Sequence, residues 1–178
     1  MVIATLLALP TLVASTWSRS SFSSTSSGET TPREDPEESS ETSRSKLTIL
    51  LNDEEGREAF LKFLEQELSF ENLLFWEAVQ EWNRRIEKLD EIDEKAQVEA
   101  KRIFDLFICC KGPHQVNLKH ETRSELIKAC KGTGTLCRGV FNRAGEEVFH
   151  LMYRDSFLRF QACQSYISLR QRLFSICK

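Results

Sequence analysis

The stretch Leu68–Trp82, which reads LSFENLLFWEAVQEW, decides the fold of this chain. Apolar and aromatic side chains recur in it every three or four residues, and on a helix of 3.6 residues per turn that spacing places them on one face. The stripe consists of Asn72, Phe75, Trp76, Val79, Trp82 and, just beyond, Ile86. The pattern predicts a helix whose stripe faces the core, with Trp76 as a core side chain.

The start of this helix is polar. Ser69 stands where a helix N-cap belongs, because its hydroxyl can accept a backbone N–H from the first turn. Glu71 suits the positive end of the helix dipole. The helix is therefore predicted to begin near Phe70, and Glu71 and Asn72 fall in its first turn, where short polar side chains can point at a partner.

Composition bounds the rest of the fold. The 178 residues are 40% hydrophobic and 29% charged, which suits one globular domain plus a tail. Seven glycines and four prolines leave few strand or turn signals. We predict an all-α protein, an antiparallel multi-helix bundle over residues 46–178 preceded by a tail over residues 1–45.

Further helices follow from the same periodicity. Asn52 or Asp53 is predicted to cap one of them, Gly112 and Pro113 to end another, and Asp155 with Ser156 to cap the last helical stretch. The side chains predicted to face the core are Phe60, Phe63, Leu64 and Leu68; Ala96, Ala100, Ile103, Phe104, Phe107 and Ile108; Phe141, Val148, Phe149, Leu151 and Met152; and Phe157, Phe160 and Ile167.

The tail contains an apolar run, Val2–Val13, that is too short to span a bilayer and is interrupted by Pro10. Four interpretations stay open for it: a cleaved signal, an interfacial anchor, an edge of a longer chain, or disorder. Residues 15–45 are rich in Ser, Thr and acids and lack the apolar side chains that would offset the entropy of ordering, so they are predicted to form a disordered linker.

Six cysteines raise two alternatives, a disulfide framework and a metal site. No Cys-x-x-Cys pair is present, and Cys109, Cys110 and Cys163 suit small apolar positions on helices. His114 and His120 follow Cys109 and Cys110 closely, but the spacing is not that of a zinc site. Reduced thiols and no bound metal are expected.

Charge is distributed unevenly along the domain. Residues 46–99 carry 15 acids against 7 bases, and residues 100–178 carry 14 bases against 6 acids. Such asymmetry can steer charged partners or bring a basic face to an anionic membrane surface. No basic stripe is interleaved with aromatic residues, so nucleic acid is not an expected partner. The chain is expected to be a monomer, located in the cytoplasm or peripherally at the inner face of the plasma membrane.

Catalytic motifs are missing from the sequence. We find no Gly-rich phosphate loop, no His-Glu-x-x-His and no Gly-x-Ser-x-Gly. The sequence therefore predicts neither catalytic residues nor a cofactor, and a binding function is favoured over a hydrolase or a metal enzyme.

Three separated segments resemble the signature of the RGS domain, the regulator of G-protein signalling. They are Glu67–Trp76 (ELSFENLLFW), Val116–Leu118 (VNL) and Leu151–Phe160 (LMYRDSFLRF), in the family's order and spacing, and the similarity covers about residues 47–169. The resemblance implies an antiparallel bundle of about nine helices.

The resemblance also implies a function. Members of this family are GTPase-activating proteins: they bind the switch regions of GTP-bound Gα subunits in the arrangement of the hydrolysis transition state and thereby terminate signalling. Gα supplies its own arginine and glutamine, so the absence of catalytic residues and of a cofactor is expected. The alternative is a scaffold domain that keeps the fold, binds another protein partner and activates nothing.

Carried over position by position, the residues that would contact Gα are Glu67, Ser69, Glu71, Asn72, Asn117, Leu151, Asp155, Ser156 and Arg159. Several have a structural alternative: Ser69 and Asp155 as helix caps, Arg159 as a support for Asp155, Leu151 as core, and Asn117 in an Asx-type turn. Leu68, Phe70 and Tyr153 depart from the residue types common in the family at those places, which would alter the choice of Gα.

Overall fold

The computed structural model describes residues 40–132 and 136–174, and these parts contain helices and connecting turns without a strand. The predicted all-α class is confirmed. Two of the helices continue into a π-helical turn. In such a turn an N–H bonds to the carbonyl five residues before it. The elements are α1 Ser40–Asn52, α2 Glu54–Gln66, α3 Glu71–Ile86, α4 Glu94–Ile103, the first π-helical turn Phe104–Ile108, α5 His120–Lys131, α6 Asn142–Leu151, the second π-helical turn Met152–Ser156, α7 Phe157–Phe160 and α8 Gln164–Phe174.

Helix α1 was not predicted, and it begins at Ser40, inside the segment expected to be a disordered linker. Leu47, Leu50 and Leu51 of this helix are buried. Its packing against α2 explains why a sequence with a weak apolar stripe is helical here. The apolar run Val2–Val13 and Cys177 lie outside the described residues.

Two helix starts follow the sequence signals closely. Asp53 caps α2, and its Oδ2 accepts the N–H of Gly56 at 2.7 Å. Asp93 caps α4 in the same way through the N–H of Ala96, also at 2.7 Å. Acceptors at these positions satisfy amides that have no partner inside the helix.

An aromatic cluster joins α2 to α7 and α8. The ring of Phe60 lies 5.1 Å from that of Phe160 and 6.3 Å from that of Phe157, and Tyr166 packs edge-on against Phe157 at 5.7 Å. Phe63 contacts Phe160 from the margin of the cluster. Aromatic pairs in these tilted and perpendicular arrangements are favourable beyond their buried area.

The second part of the core is built on α3, which packs against α4 and α6. Trp82 is fully buried, and its indole N–H donates to the carbonyl of Arg138 at 3.1 Å. Gly145 of α6 lets the two helices approach closely, because a Cβ there would lie 3.1 Å from Val79 Cγ1. The seam predicted for the α4 region, from Ala96 to Ile108, is buried as expected.

Five predictions of burial need correction. Phe63 packs against the core but is only partly buried. Trp76 packs against the core and against Phe149 at 6.4 Å, but it is only half-buried, because it lies at the margin of the stripe on α3. Leu68 and Leu151 are exposed at the ends of α2 and α6. Ile167 is also exposed, since Tyr166 and Leu169 provide the buried face of α8.

The two tryptophans of α3 provide a matched test of this core. Trp82→Ala should lower the free energy of unfolding by roughly 3–5 kcal/mol, because it leaves a cavity and an unpaired carbonyl. Trp76→Ala removes a side chain that is already partly in water and should cost less by about 1 kcal/mol or more. Urea unfolding measures both values, and equal losses would contradict the assigned burial.

Asp53 also ties α2 to α8. Both of its carboxylate oxygens accept hydrogen bonds from Arg172, at 2.8 and 2.6 Å. These bonds, and then the bond from Gly56, lower the pKa of Asp53 to about 2. A carboxyl group whose pKa falls on folding stabilises the protein above its unfolded pKa, here 3.8, and this stabilisation disappears as the pH falls through 2.

Asp53→Asn keeps a capping oxygen but loses the charge. We expect it to reduce stability at pH 6 and to approach the wild type as the pH falls from about 4 towards 2. Urea unfolding at several pH values tests this, with Asp90→Asn at an exposed carboxylate as the control. A difference between wild type and Asp53→Asn that does not change with pH would disprove the linkage.

Candidate functional site

An ion pair joins two of the signature segments. Glu67 is the C-cap of α2 and Arg159 lies in α7, yet the guanidinium donates to both carboxylate oxygens of Glu67, through Nε at 2.7 Å and Nη2 at 2.7 Å. Nη1 of the same guanidinium donates to Asp155. These hydrogen bonds raise the pKa of Arg159 further above its usual range. The predicted support of Asp155 by Arg159 is present, and Glu67 belongs to the same cluster.

The turn after α2 holds its residues in a strained conformation. The N–H of Ser69 donates to the carbonyl of Leu64 at 2.9 Å, and the N–H of Leu68 donates to that of Glu65 at 3.2 Å. This is the Schellman pattern, which places one residue in the left-handed region and normally uses glycine there. Leu68 occupies that position with φ 54°. Its side chain is 83% exposed, so burial does not offset the strain.

Ser69 does not cap α3. The N-cap is Phe70, which makes no side-chain capping bond, and α3 begins at Glu71. The hydroxyl oxygen of Ser69 is covered from solvent and lacks a hydrogen-bond partner among the described residues. The predicted cap is wrong because the left-handed turn at Leu68 places Ser69 one residue before the cap position.

Asn72 lies in the first turn of α3, as predicted. Its amide nitrogen donates to the carbonyl of Ser69 at 3.1 Å and to the carboxylate of Glu71 at 3.0 Å. Its Oδ1 is covered and, within the described parts of the chain, has no donor. Two unpaired acceptors therefore lie together at the start of α3, where most buried polar atoms would be satisfied.

A ring contact connects this turn to the loop that carries the second signature segment. Phe70 packs against His114 at 5.5 Å between centroids, and His114 also contacts Phe107 at 6.3 Å. The aromatic residue at position 70 is thus part of the packing between the α2–α3 turn and the loop that follows Pro113. His114 therefore packs among aromatic rings.

The loop that carries Asn117 is fixed through its neighbours. Val116 and Leu118 are buried, the N–H of Val116 donates to the carbonyl of Phe107 at 3.0 Å, and its carbonyl accepts from Nη2 of Arg123 at 2.7 Å. Asn117 is exposed between them. Its amide makes no hydrogen bond with any described residue, so the Asx-type turn is not formed.

The third segment runs through the second π-helical turn without a break. The N–H of Phe157 donates to the carbonyl of Met152, and the chain stays helical from Asn142 to Phe160. Asp155 and Ser156 therefore lie inside a continuous helical segment, and the predicted cap at these residues is wrong. Asp155 is exposed, while Ser156 is 5% exposed and offers little surface to a partner.

The residues brought together are suited to binding. The described residues contain no group of three His, Cys, Asp or Glu side chains that could hold a metal ion, and their five cysteines are free. Within the same ranges, no helix is long and apolar enough to cross a bilayer. The exposed residues of the three signature segments include the amide of Asn117, the carboxylate of Asp155, the guanidinium of Arg159 and the apolar side chains of Leu68 and Leu151.

Comparison with known proteins agrees with this arrangement. The family described as the Regulator of G protein signaling domain matches residues 46–169. Regulator of G-protein signaling 16 of Bos taurus is 35% identical over 121 residues, which cover 68% of this chain and 56% of that protein. Regulator of G-protein signaling 8 of Rattus norvegicus is 34% identical over 121 residues, 68% of this chain and 63% of its own. Regulator of G-protein signaling rgs-2 of Caenorhabditis elegans is 33% identical over 117 residues, 66% of this chain and 64% of its own.

The structure is a helical bundle in which an ion pair joins the first signature segment to the third, and a ring contact joins the first segment to the loop that carries the second. The chain belongs to the family of the Regulator of G protein signaling domain. It spans 56% to 64% of the length of the three relatives named above.

Sequence reasoning missed three residues of this site. Leu68 was expected in the core, and the turn that strains it has no glycine to indicate it. Arg123 and Glu147 hydrogen-bond to the backbone on either side of Asn117, and neither belongs to a signature segment. The one available signal in the sequence was Lys119 at the cap position of α5. Lysine cannot accept a hydrogen bond there, which indicates that another residue must provide the acceptor.

Leu68 gives a prediction in which stability should rise. Leu68→Gly should increase the free energy of unfolding by about 0.5–1 kcal/mol, because glycine adopts positive φ without steric strain and little packing is lost. Leu68→Ala, which keeps a Cβ in the same conformation, should be no more stable than the wild type. Thermal and urea unfolding of the pair decide it: a glycine variant no more stable than the alanine variant means that the backbone at Leu68 is not strained.

Proposed function

We propose that this domain is a GTPase-activating protein for heterotrimeric G-protein α subunits. It binds the switch regions of GTP-bound Gα and terminates signalling by accelerating hydrolysis, without catalytic residues or a cofactor of its own. The observation that carries the proposal is the bidentate bond between Glu67 and Arg159, because it joins segments that lie far apart in sequence into one surface.

The mechanism follows from differential binding. A partner that binds the transition-state arrangement of the switches more tightly than the ground state lowers the barrier without touching the phosphate. Gα contains its own arginine and its own glutamine for positioning water. The activator therefore needs only a surface that fits one arrangement and is already ordered before binding.

Particular residues support such a surface. Asn117 presents a free amide, which donates and accepts at once, on a loop fixed at Val116 and Leu118. The covered oxygens of Ser69 and Asn72, which have no partner among the described residues, lie in the turn beneath this surface. Glu71, Leu151, Asp155 and Arg159 would surround them, with Ser156 as a buried support.

Other features of the proposal stay predictions. They are a monomeric state, binding to an anionic membrane surface, and location in the cytoplasm or at the inner face of the plasma membrane. Leu68, Phe70 and Tyr153, which differ from the residue types common in the family, would set the preference among Gα subunits.

Asn117→Ala tests the proposal. Loss of this amide should leave a desolvated polar group on Gα and lower affinity for the transition-state arrangement by roughly 2–5 kcal/mol, about 30-fold or more. The measurement compares binding to Gα with GDP and aluminium fluoride against binding to Gα with a GTP analogue. Wild type should prefer the former, and Asn117→Ala should lose most of that preference.

Two controls complete this experiment. Asn52→Ala removes an exposed asparagine at the end of α1 and should change nothing. Asn117→Ser keeps a short hydrogen-bonding group and should retain part of the preference. Single-turnover GTP hydrolysis with several Gα subunits separates the alternatives: binding without acceleration by the wild type would indicate a scaffold domain.

A further inference from the structure

Helix α5 begins without a cap of its own. Its N-cap position is Lys119, which has φ −57° and ψ 145° and makes no side-chain capping bond. A lysine side chain has no acceptor, so the free amides at the start of this helix gain nothing from it. The helix nevertheless begins three residues after Asn117, in the segment that must hold the exposed amide in place.

A carboxylate from another helix bonds instead to the backbone of the cap residue itself and to the side chain of the third helical residue. Glu147 of α6 accepts the backbone N–H of Lys119 through Oε2 at 3.1 Å and the hydroxyl of Thr122 through Oε1. In a capping box, a glutamate at the third helical position accepts the N–H of the cap residue. Here Thr122 stands at that third position, and Glu147 provides the carboxylate across the interface between α5 and α6.

The environment of Glu147 favours this arrangement. Its side chain is 16% exposed and Thr122 is 1% exposed, so the hydrogen bond from Thr122 is largely shielded from competing water. The bond from the N–H of Lys119 lies at the surface. A negative charge at the start of a helix is also stabilised by the helix dipole. The guanidinium of Arg143 lies 3.9 Å from Glu147 but 2.7 Å from Glu125, so its short contact is with Glu125. The carboxylate of Glu147 therefore remains available to the start of α5.

We infer that Glu147 is a positioning residue for Asn117. Arg123 and Phe107 fix the loop before Asn117 through the backbone of Val116. Glu147 fixes the chain after it through the backbone of Lys119. With the backbone held on both sides, the amide of Asn117 is ordered before a partner arrives. This inference rests on the function proposed above, since it assigns Asn117 a role in binding.

The test begins with Glu147→Ala in the full chain, with two readouts. Hydrogen exchange of the amides from residues 119 to 123 should become about tenfold faster, because a charged hydrogen-bond acceptor is lost. Acceleration of single-turnover GTP hydrolysis on a responsive Gα should fall about tenfold, since loop ordering must then occur during binding. Glu146→Ala, which alters the neighbouring exposed carboxylate paired with Arg44, should leave both readouts unchanged.

Rescue separates positioning from general destabilisation. In Lys119→Asp combined with Glu147→Ala, the new aspartate can cap α5 from within the loop. Both readouts should recover to within about threefold of the wild type. Glu147→Gln keeps an acceptor oxygen and should stay near the wild type. If Glu147→Ala alone does not fold, the double variant decides the capping role: folding with both readouts near the wild type supports it, and folding without recovery of either readout overturns it.

Each failure has a distinct meaning. Unchanged hydrogen exchange in Glu147→Ala, or a folded double variant that recovers neither readout, would overturn the capping role. Faster exchange with undiminished acceleration would overturn the positioning role. If the wild type accelerates no Gα, the proposed function fails and the positioning role fails with it, while exchange and its rescue by Lys119→Asp still decide whether Glu147 caps α5.

Discussion

The bidentate bond between Glu67 and Arg159 is the interaction on which the site depends. Exposed ion pairs contribute about 0–1 kcal/mol to stability, and this guanidinium is 47% exposed, so the value of the bond is geometric. Two parallel N–H···O bonds fix both distance and orientation, which a single contact to lysine would not do. The bond thereby fixes the position of the end of α2 relative to α7. Because the turn into α3 starts at the end of α2, the start of that turn is fixed as well.

Local rules of helix construction are obeyed at the starts of α2 and α4 and broken at several places in the site. Asp53 and Asp93 cap their helices with short bonds, whereas α3 and α5 begin without side-chain caps of their own. Leu68 has positive φ, and Ser69 holds an unpaired oxygen. Departures of this kind persist when surrounding packing enforces them, and they concentrate where a protein binds its partners.

The sequence predicted what depends on periodicity and short-range chemistry. The seam from Ala96 to Ile108 and the cap at Asp53 were correct, because both follow from residues a few positions apart. Helix α1 was missed because its stability comes from packing against α2. The caps expected at Ser69 and Asp155 were wrong, since a left-handed turn and a π-helical turn shift the register by about one residue, and no glycine or proline indicates either shift.

The candidate site combines exposed polar and charged groups with a loop whose backbone is fixed by hydrogen bonds to α5 and α6. Its resemblance to a known family predicted which side chains would face a partner, but the residues that order them are set by the tertiary structure. Asn117 depends on Arg123 and Glu147, which lie on two different helices. A surface that acts only by fitting one conformation of its partner loses affinity if its own groups must be ordered during binding, because that cost falls on every complex it forms. Under the proposed function, the residues that fix the loop therefore matter as much as the amide they hold.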